Sequence, residues 1–286
     1  MGKPKHRIPP QKRAGQNASK TVHPSIDSIR PPESKENNAF QIALDNKNFD
    51  LAKQILAESS KGMPEWRRLN LEGLITISQG DLVATERILL RSLRHPEAGV
   101  KPYKNLVSVY SQMGRLRDAL PLAKKAHEME PESLEIALLY INCLLDLAKS
   151  DDVIKVADKL LEKNKNQRQL LLAKASALRA GFKPEESSDL IDEILKLYPN
   201  DPTAMRLKAD ILGDTDSVAA VKIYKQAQDI VMKERKKPDV AMNWNASLHF
   251  LRTRELKKGW DYWELGFDKA VGTMGRNLIP QVKVLP

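Results

Sequence analysis

One cysteine, Cys143, occurs in the 286 residues. An internal disulfide is therefore excluded, and a cysteine zinc site has no second ligand. No run approaches the ~20 consecutive apolar residues of a membrane helix. The first thirty residues also lack the apolar segment of a secretory signal. The start Met1-Gly2-Lys3-Pro4-Lys5-His6 has histidine where a myristoylation signal needs Ser or Thr. The expectation is a cytoplasmic protein with no membrane partner. Asn17-Ala-Ser19 and Asn245-Ala-Ser247 match the glycosylation pattern, but without a secretory signal they read as chance matches.

Catalytic signatures are missing as well. There is no glycine-rich phosphate loop, no Gly-x-Ser-x-Gly elbow and no His-Glu-x-x-His, since His127-Glu128 lacks the second histidine. The five histidines, His6, His23, His95, His127 and His249, are never four residues apart, so they read as surface or capping residues rather than metal ligands. No enzyme, cofactor or metal site is expected. Strand signals are absent too, because no Asn-Gly or Asp-Gly turn joins alternating runs.

What the chain has in excess is positive charge, +10 overall. Half of it sits in residues 1–36, where eight Lys or Arg face only Asp27, Glu33 and Glu36. That segment holds six prolines and no apolar period, so it cannot bury enough surface to offset the entropy of ordering. It reads as a disordered basic arm. A weak nucleic-acid contact is the most such an arm offers, since no aromatics are interleaved for base stacking.

From residue 37 the pattern becomes helical and repeats every 34 residues. One row begins at Val100 and places Tyr103, Leu106, Val107, Tyr110, Gly114, Ala119, Ala123, Ala126 and Pro131 at positions 4, 7, 8, 11, 15, 20, 24, 27 and 32. The large residues form one stripe on a first helix, A, and the small ones let a second helix, B, approach it closely. Pro131 stops helix B. This row resembles the tetratricopeptide repeat (TPR), with Val107 a departure at a position where that family usually has a small residue.

Other rows keep the register. Gly73 and Gly80 mark a row near Trp66, with phase open by one residue. Leu144, Val153, Ala157 and Leu160 belong to a row from Leu134; Leu171, Ala175, Leu178, Ile191 and Ile194 to one from Arg168; Ala204, Leu207, Ile211, Ala220, Tyr224 and Ala227 to one from Asp201. A degenerate first row uses Phe40, Ala43, Phe49, Ala52 and Leu56. A seventh runs from Val240 through Trp244, Leu248, Leu251 and Leu256 to Trp260 and Trp263. The reading is an all-α, TPR-type superhelical solenoid of about seven antiparallel helix pairs over 37–270. It follows the arm at 1–36 and precedes an extended connector or cap at 271–286.

The TPR resemblance implies a concave face lined by helices A. Its inward positions are Lys101, Lys104, Asn105 and Ser108, then Asn142, then Ser176 and Arg179, then Arg206. Such residues suit an extended peptide backbone or its carboxylates, so the expected function is a non-catalytic protein-interaction module or scaffold. The sequence departs from the family's carboxylate clamp, since Leu139 stands where the row after Lys104 needs asparagine. Asn105 and Asn245 stand alone at position 6, so there is no asparagine ladder.

The last row, with Gly259, Trp260 and Glu264, resembles the junction of TPR proteins that carry a C-terminal glycosyltransferase-like domain. Trp263 replaces a tyrosine of that pattern, and Gly266 replaces its arginine. That resemblance implies the alternative of a substrate-docking part of such an enzyme, and the other reading of the row is an aromatic cap. For the arm, any affinity for nucleic acid is expected to fall with salt and to vanish on deletion of residues 1–36, as read by titration at two ionic strengths.

Overall fold

The structure, a computed structural model, describes residues 35–235 and 239–265. Nearly all of the basic arm and the whole 271–286 segment lie outside these residues. The described residues contain fourteen helices and no strand, arranged as seven pairs. In chain order the pairs are α1 Lys35–Asp45 with α2 Phe49–Ser59, α3 Glu65–Gln79 with α4 Leu82–Ser92, α5 Val100–Gln112 with α6 Leu116–Met129, and α7 Leu134–Asp146 with α8 Ser150–Leu161. They continue with α9 Arg168–Ala180 and α10 Pro184–Leu197, α11 Pro202–Leu212 and α12 Ser217–Arg235, and α13 Val240–Arg252 and α14 Leu256–Leu265.

Helix starts carry the expected chemistry. Asn48, Asp81, Ser133, Asp201 and Asp239 each accept a backbone N–H from the first turn they precede, which satisfies a donor that the helix itself cannot. Pro184 and Pro202 occupy first-turn positions, where the missing N–H costs nothing.

The turn from helix A to helix B is the most regular feature. Lys47, Gly80, Gly114, Ala148, Phe182 and Arg254 all have positive φ between 54° and 83°. The first five are spaced 33 or 34 residues apart, and Gly80 to Gly114 is 34, which sets the phase of the second row at Trp66. Only two of these six are glycine, the residue that takes this conformation without a Cβ clash.

Within each pair, small residues sit where the helices touch. Ala119, Ala123 and Ala126 of α6 are fully buried, as are Ala52, Ala157, Ala220 and Ala227 in other B helices. Gly73 of α3 lies so close to Leu89 of α4 that a Cβ there would come within 2.8 Å of a leucine methyl. The core is a chain of clusters rather than one centre. Each spans three or four consecutive helices, from Phe40, Ala52 and Leu74 through Leu106, Val109 and Cys143 to Tyr224, Met242 and Phe250. This is the signature of a fold whose units are stable only against their neighbours.

The last row differs from its expected stripe. Met242, Ala246, Phe250 and Gly259 are buried, whereas Leu248, Leu256 and Trp260 are exposed. Reading the tryptophans and leucines as the inward set followed bulk and overlooked Met242 and Ala246. Trp263 stacks on Trp244 with centroids 4.2 Å apart, Trp260 meets Trp263 edge-on at 6.1 Å, and Tyr262 packs on Phe250 at 4.8 Å. Thus α14 covers α13 mainly with rings.

Ala119→Leu and Ala126→Leu are each expected to destabilise by about 1–3 kcal/mol through overpacking, measured by chemical denaturation. Ala148→Gly relieves a left-handed strain at an exposed turn and is expected to be neutral or to raise stability by up to about 1 kcal/mol.

Candidate peptide-binding groove

Curvature follows from which helices approach across repeats. Besides neighbours in sequence, α3 touches α5, α7 touches α9, and α9 touches α11, whereas no pair of B helices makes a comparable approach. Helices A therefore lie on the inside of the curve, and their polar positions line its concave face.

At the N-terminal end, α5 presents two lysines and buries two polar residues. Lys104 forms an ion pair with Glu135 of α7. Lys101 is exposed, and its ammonium is held below the usual lysine range by partial burial, then by the nearby charges of Arg67 and Lys104, against an opposing pull from Glu130. Asn105 is buried and donates to the side-chain oxygen of Asn70 in α3 at 2.8 Å. Ser108 is buried as well and accepts from Gln112 at 3.3 Å. Asn105 and Ser108 thus bind structure, with little surface left for a ligand. Asn142 is exposed on α7, and Ser176 is half-buried on α9.

At the C-terminal end the inner positions converge. Asp210 of α11 is buried and holds four partners from four helices. Arg206 bridges it at 2.8 Å, and Arg179 of α9 stands at 3.8 Å. The Tyr224 hydroxyl of α12 donates to its other oxygen, as does the Asn245 amide of α13 at 3.0 Å. Burial first, then the carboxylate, pushes the Tyr224 phenol far above its usual range, so it remains a donor. Two guanidiniums against one carboxylate leave excess positive charge at the groove wall, because Arg179 is half exposed.

Arg179 and Arg206 were legible as inward residues, but Asp210 was not. It occupies position 10 of its row, where Val109, Cys143 and Ala177 are buried in the preceding rows. A carboxylate at an otherwise apolar position was the available signal. Asn70 escaped notice because its row's phase was open.

Two histidines also depart from the surface reading. His249 is buried, stacks on Tyr224 at 5.6 Å and has Ser217 at 3.3 Å from Nδ1. Gly213 makes room for it, since a Cβ there would come within 2.0 Å of the imidazole ring. His127 stacks on Tyr140 at 5.6 Å. Both imidazoles are held below the usual histidine range, chiefly by burial and secondarily by Arg252 and Lys159 respectively. Cys143 is buried, and its thiol is pushed up to about 11 by burial and then by Asp146. It is a poor nucleophile there. Among the described residues no group of three or more His, Cys, Asp or Glu could hold a metal ion. No described helix is long and apolar enough to cross a membrane.

Because the folded state lowers the pKa of His249, stability from its neutral form is fully present above about pH 6.5 and is lost as pH falls through the folded value. His249→Gln is expected to flatten the fall in melting temperature below that pH, read by thermal melts across the acid range. Gly213→Ala is expected to destabilise by about 1–3 kcal/mol by displacing the ring.

A tetratricopeptide repeat family model matches residues 110–177. No curated protein matches the sequence. Among solved structures, the chain is similar to a tetratricopeptide repeat protein from Parabacteroides merdae, at 17% identity and TM-score 0.64, over 83% of this chain and 94% of that one. It is also similar to the C-terminal part of a TPR repeat-containing protein from Cytophaga hutchinsonii, at 11% identity and TM-score 0.53, over 80% and 93% of the two chains. A third likeness is to the MamA RS-1 ArsTM double mutant, at 11% identity and TM-score 0.51, over 60% of this chain and 98% of that one. With seven helix pairs among the described residues, recurrent left-handed turns and matched repeats over 110–177, the fold of the chain is a helical solenoid of the tetratricopeptide type.

Proposed function

We propose that this protein is a non-catalytic interaction module that holds an acidic peptide or protein segment along its concave face. The observation that carries the reading is two groups of cations on helices A, one on α3 and α5 and one on α9 and α11, with α7 between them carrying none. Arg67, Lys101 and Lys104 lie close enough to depress the Lys101 ammonium, and Arg179 and Arg206 outnumber Asp210. Their spread along the groove suits an extended segment with carboxylates several residues apart, bound through charge-assisted hydrogen bonds. Asn142 and Ser176, between the two ends, would contact its backbone. Nucleic acid is not the partner of this reading, and a contact with it would be a weak one through the basic arm.

Gly259, Trp260 and Glu264 support a second reading, in which the solenoid is the docking part of a longer glycosyltransferase-like protein. The groove would then present substrate to a domain elsewhere, and this chain by itself should bind no nucleotide sugar. Saturable binding of a nucleotide sugar to the chain would contradict both readings.

Selection of displayed random peptides on the full chain is expected to enrich acidic sequences over neutral and basic ones. Lys101→Glu with Arg179→Glu is expected to weaken the selected peptides by about tenfold or more. Lys101→Glu shifts stability by no more than about 0.5 kcal/mol, as for an exposed site, whereas Arg179→Glu costs about 1–3 kcal/mol because it sets a second carboxylate beside Asp210. Enrichment without acidic bias would overturn the proposal.

A further inference from the structure

Phe182 combines two costs that nothing in the described chain offsets. It has φ 60°, in the left-handed region where a bulky side chain clashes with its own backbone. Its side chain is also 94% exposed, so the ring packs on almost nothing. Local geometry accounts for the glycine that precedes it. A Cβ at Gly181 would lie 3.1 Å from the Ala177 carbonyl and 3.3 Å from Ser150, a tight fit that favours glycine there, while the left-handed residue keeps its place at position 182, 34 residues after Ala148. It does not explain why that residue is phenylalanine rather than the lysine, alanine or arginine of other turns. Strain together with full exposure is a pattern found at contact sites.

The neighbouring repeats extend the feature. Val218, in the first turn of α12, and Leu256, opening α14, are each 58% exposed. With Val83 of α4 at 60%, these are the four most exposed large apolar residues described. All four lie at the A-to-B turn or the first turn of helix B, on one edge of the solenoid and away from the groove. Phe182, Val218 and Leu256 belong to three consecutive repeats, so exposed apolar side chains recur along this edge.

The charges along that edge point to its occupant. Its fifth-repeat end carries Glu185 and Glu186, and its seventh-repeat end carries Arg254, Lys257 and Lys258. Among the described residues neither Glu185 nor Lys257 is in an ion pair, and both are exposed. At the centre, the carboxylate of Asp216 is engaged by the amides of Val218 and Ala219 at 3.0 and 2.9 Å. Lys183 offsets Glu186 and Glu255 offsets Lys258. Among the described residues the edge therefore keeps an unpaired carboxylate at one end and an unpaired ammonium at the other, with apolar side chains between. Such a surface is complementary to itself turned end for end.

We propose that this edge is a two-fold interface between two copies of the chain. Val218 lies on the axis against its counterpart, Phe182 of one copy packs beside Leu256 of the other, and Glu185 faces Lys257 at both rims. The contact is narrow, so the dimer is weak and concentration-dependent, and it leaves both concave grooves open.

Sedimentation of the full chain from micromolar to near-millimolar concentration is expected to show its mass rise from 32.3 kDa toward twice that value. Phe182→Gly is expected to weaken the dimer by about tenfold or more while its melting temperature is unchanged or higher, since the strain is relieved. Glu185→Lys and Lys257→Glu should each weaken it, and the double variant, in which every rim pair is re-formed with signs exchanged, should restore it. A chain that stays monomeric throughout, a Phe182→Gly dimer as strong as the parent, or a double variant that is not restored overturns the proposal. The groove variants Lys101→Glu and Arg179→Glu should leave dimerisation unchanged, which separates this interface from peptide binding.

Discussion

The close approach of two helices over small side chains is the constraint on which everything else rests. Ala119, Ala123 and Ala126 in the third repeat, and Ala52, Ala157 and Ala227 elsewhere, let helix B lie against helix A with no gap. That spacing exposes the apolar flank of each pair to the next, so every repeat is completed by its neighbour. The left-handed turn is the hinge of the same device. It reverses the chain in so few residues that six of seven turns share one backbone conformation whether or not glycine is available.

Because helices A approach one another across repeats and helices B do not, the stack curves and gathers the polar positions of helices A on its inner face. Two kinds of polar residue share that face. Asn70 with Asn105, and Asp210 with Tyr224 and Asn245, bond one repeat to the next and are buried. Lys101, Asn142 and Arg179 remain exposed. The Asp210 cluster does both jobs, since it ties four helices together and also holds Arg179 and Arg206 in place. A buried carboxylate is tolerable only with such a full set of donors, and this makes the fifth to seventh repeats the most tightly specified part of the groove.

The outer edge follows a different logic. The concave face is polar and bonded within the fold only in part, whereas the turn edge of the last three repeats carries Phe182, Val218 and Leu256 with Glu185 at one end and Lys257 at the other. The two surfaces lie on separate faces of the solenoid.

The 34-residue period, the helix starts, the small residues of the pair contact and the apolar stripe of six rows were all readable along the sequence, because each is a local regularity set by helix geometry. The seventh row was misjudged for a physical reason. Its tryptophans and leucines are large enough to suggest a core, yet Met242, Ala246 and Phe250 are the residues facing α12. The inward residues were likewise legible as a set, but not their fates. Whether Asn105 meets a ligand or Asn70, or whether His249 lies on the surface or in the space that Gly213 leaves, depends on partners 35 and 36 residues away in the chain. Local pattern decides which residues form helices and how often. Only the stacking of one repeat on the next decides which polar groups are consumed in holding the solenoid and which remain for a partner.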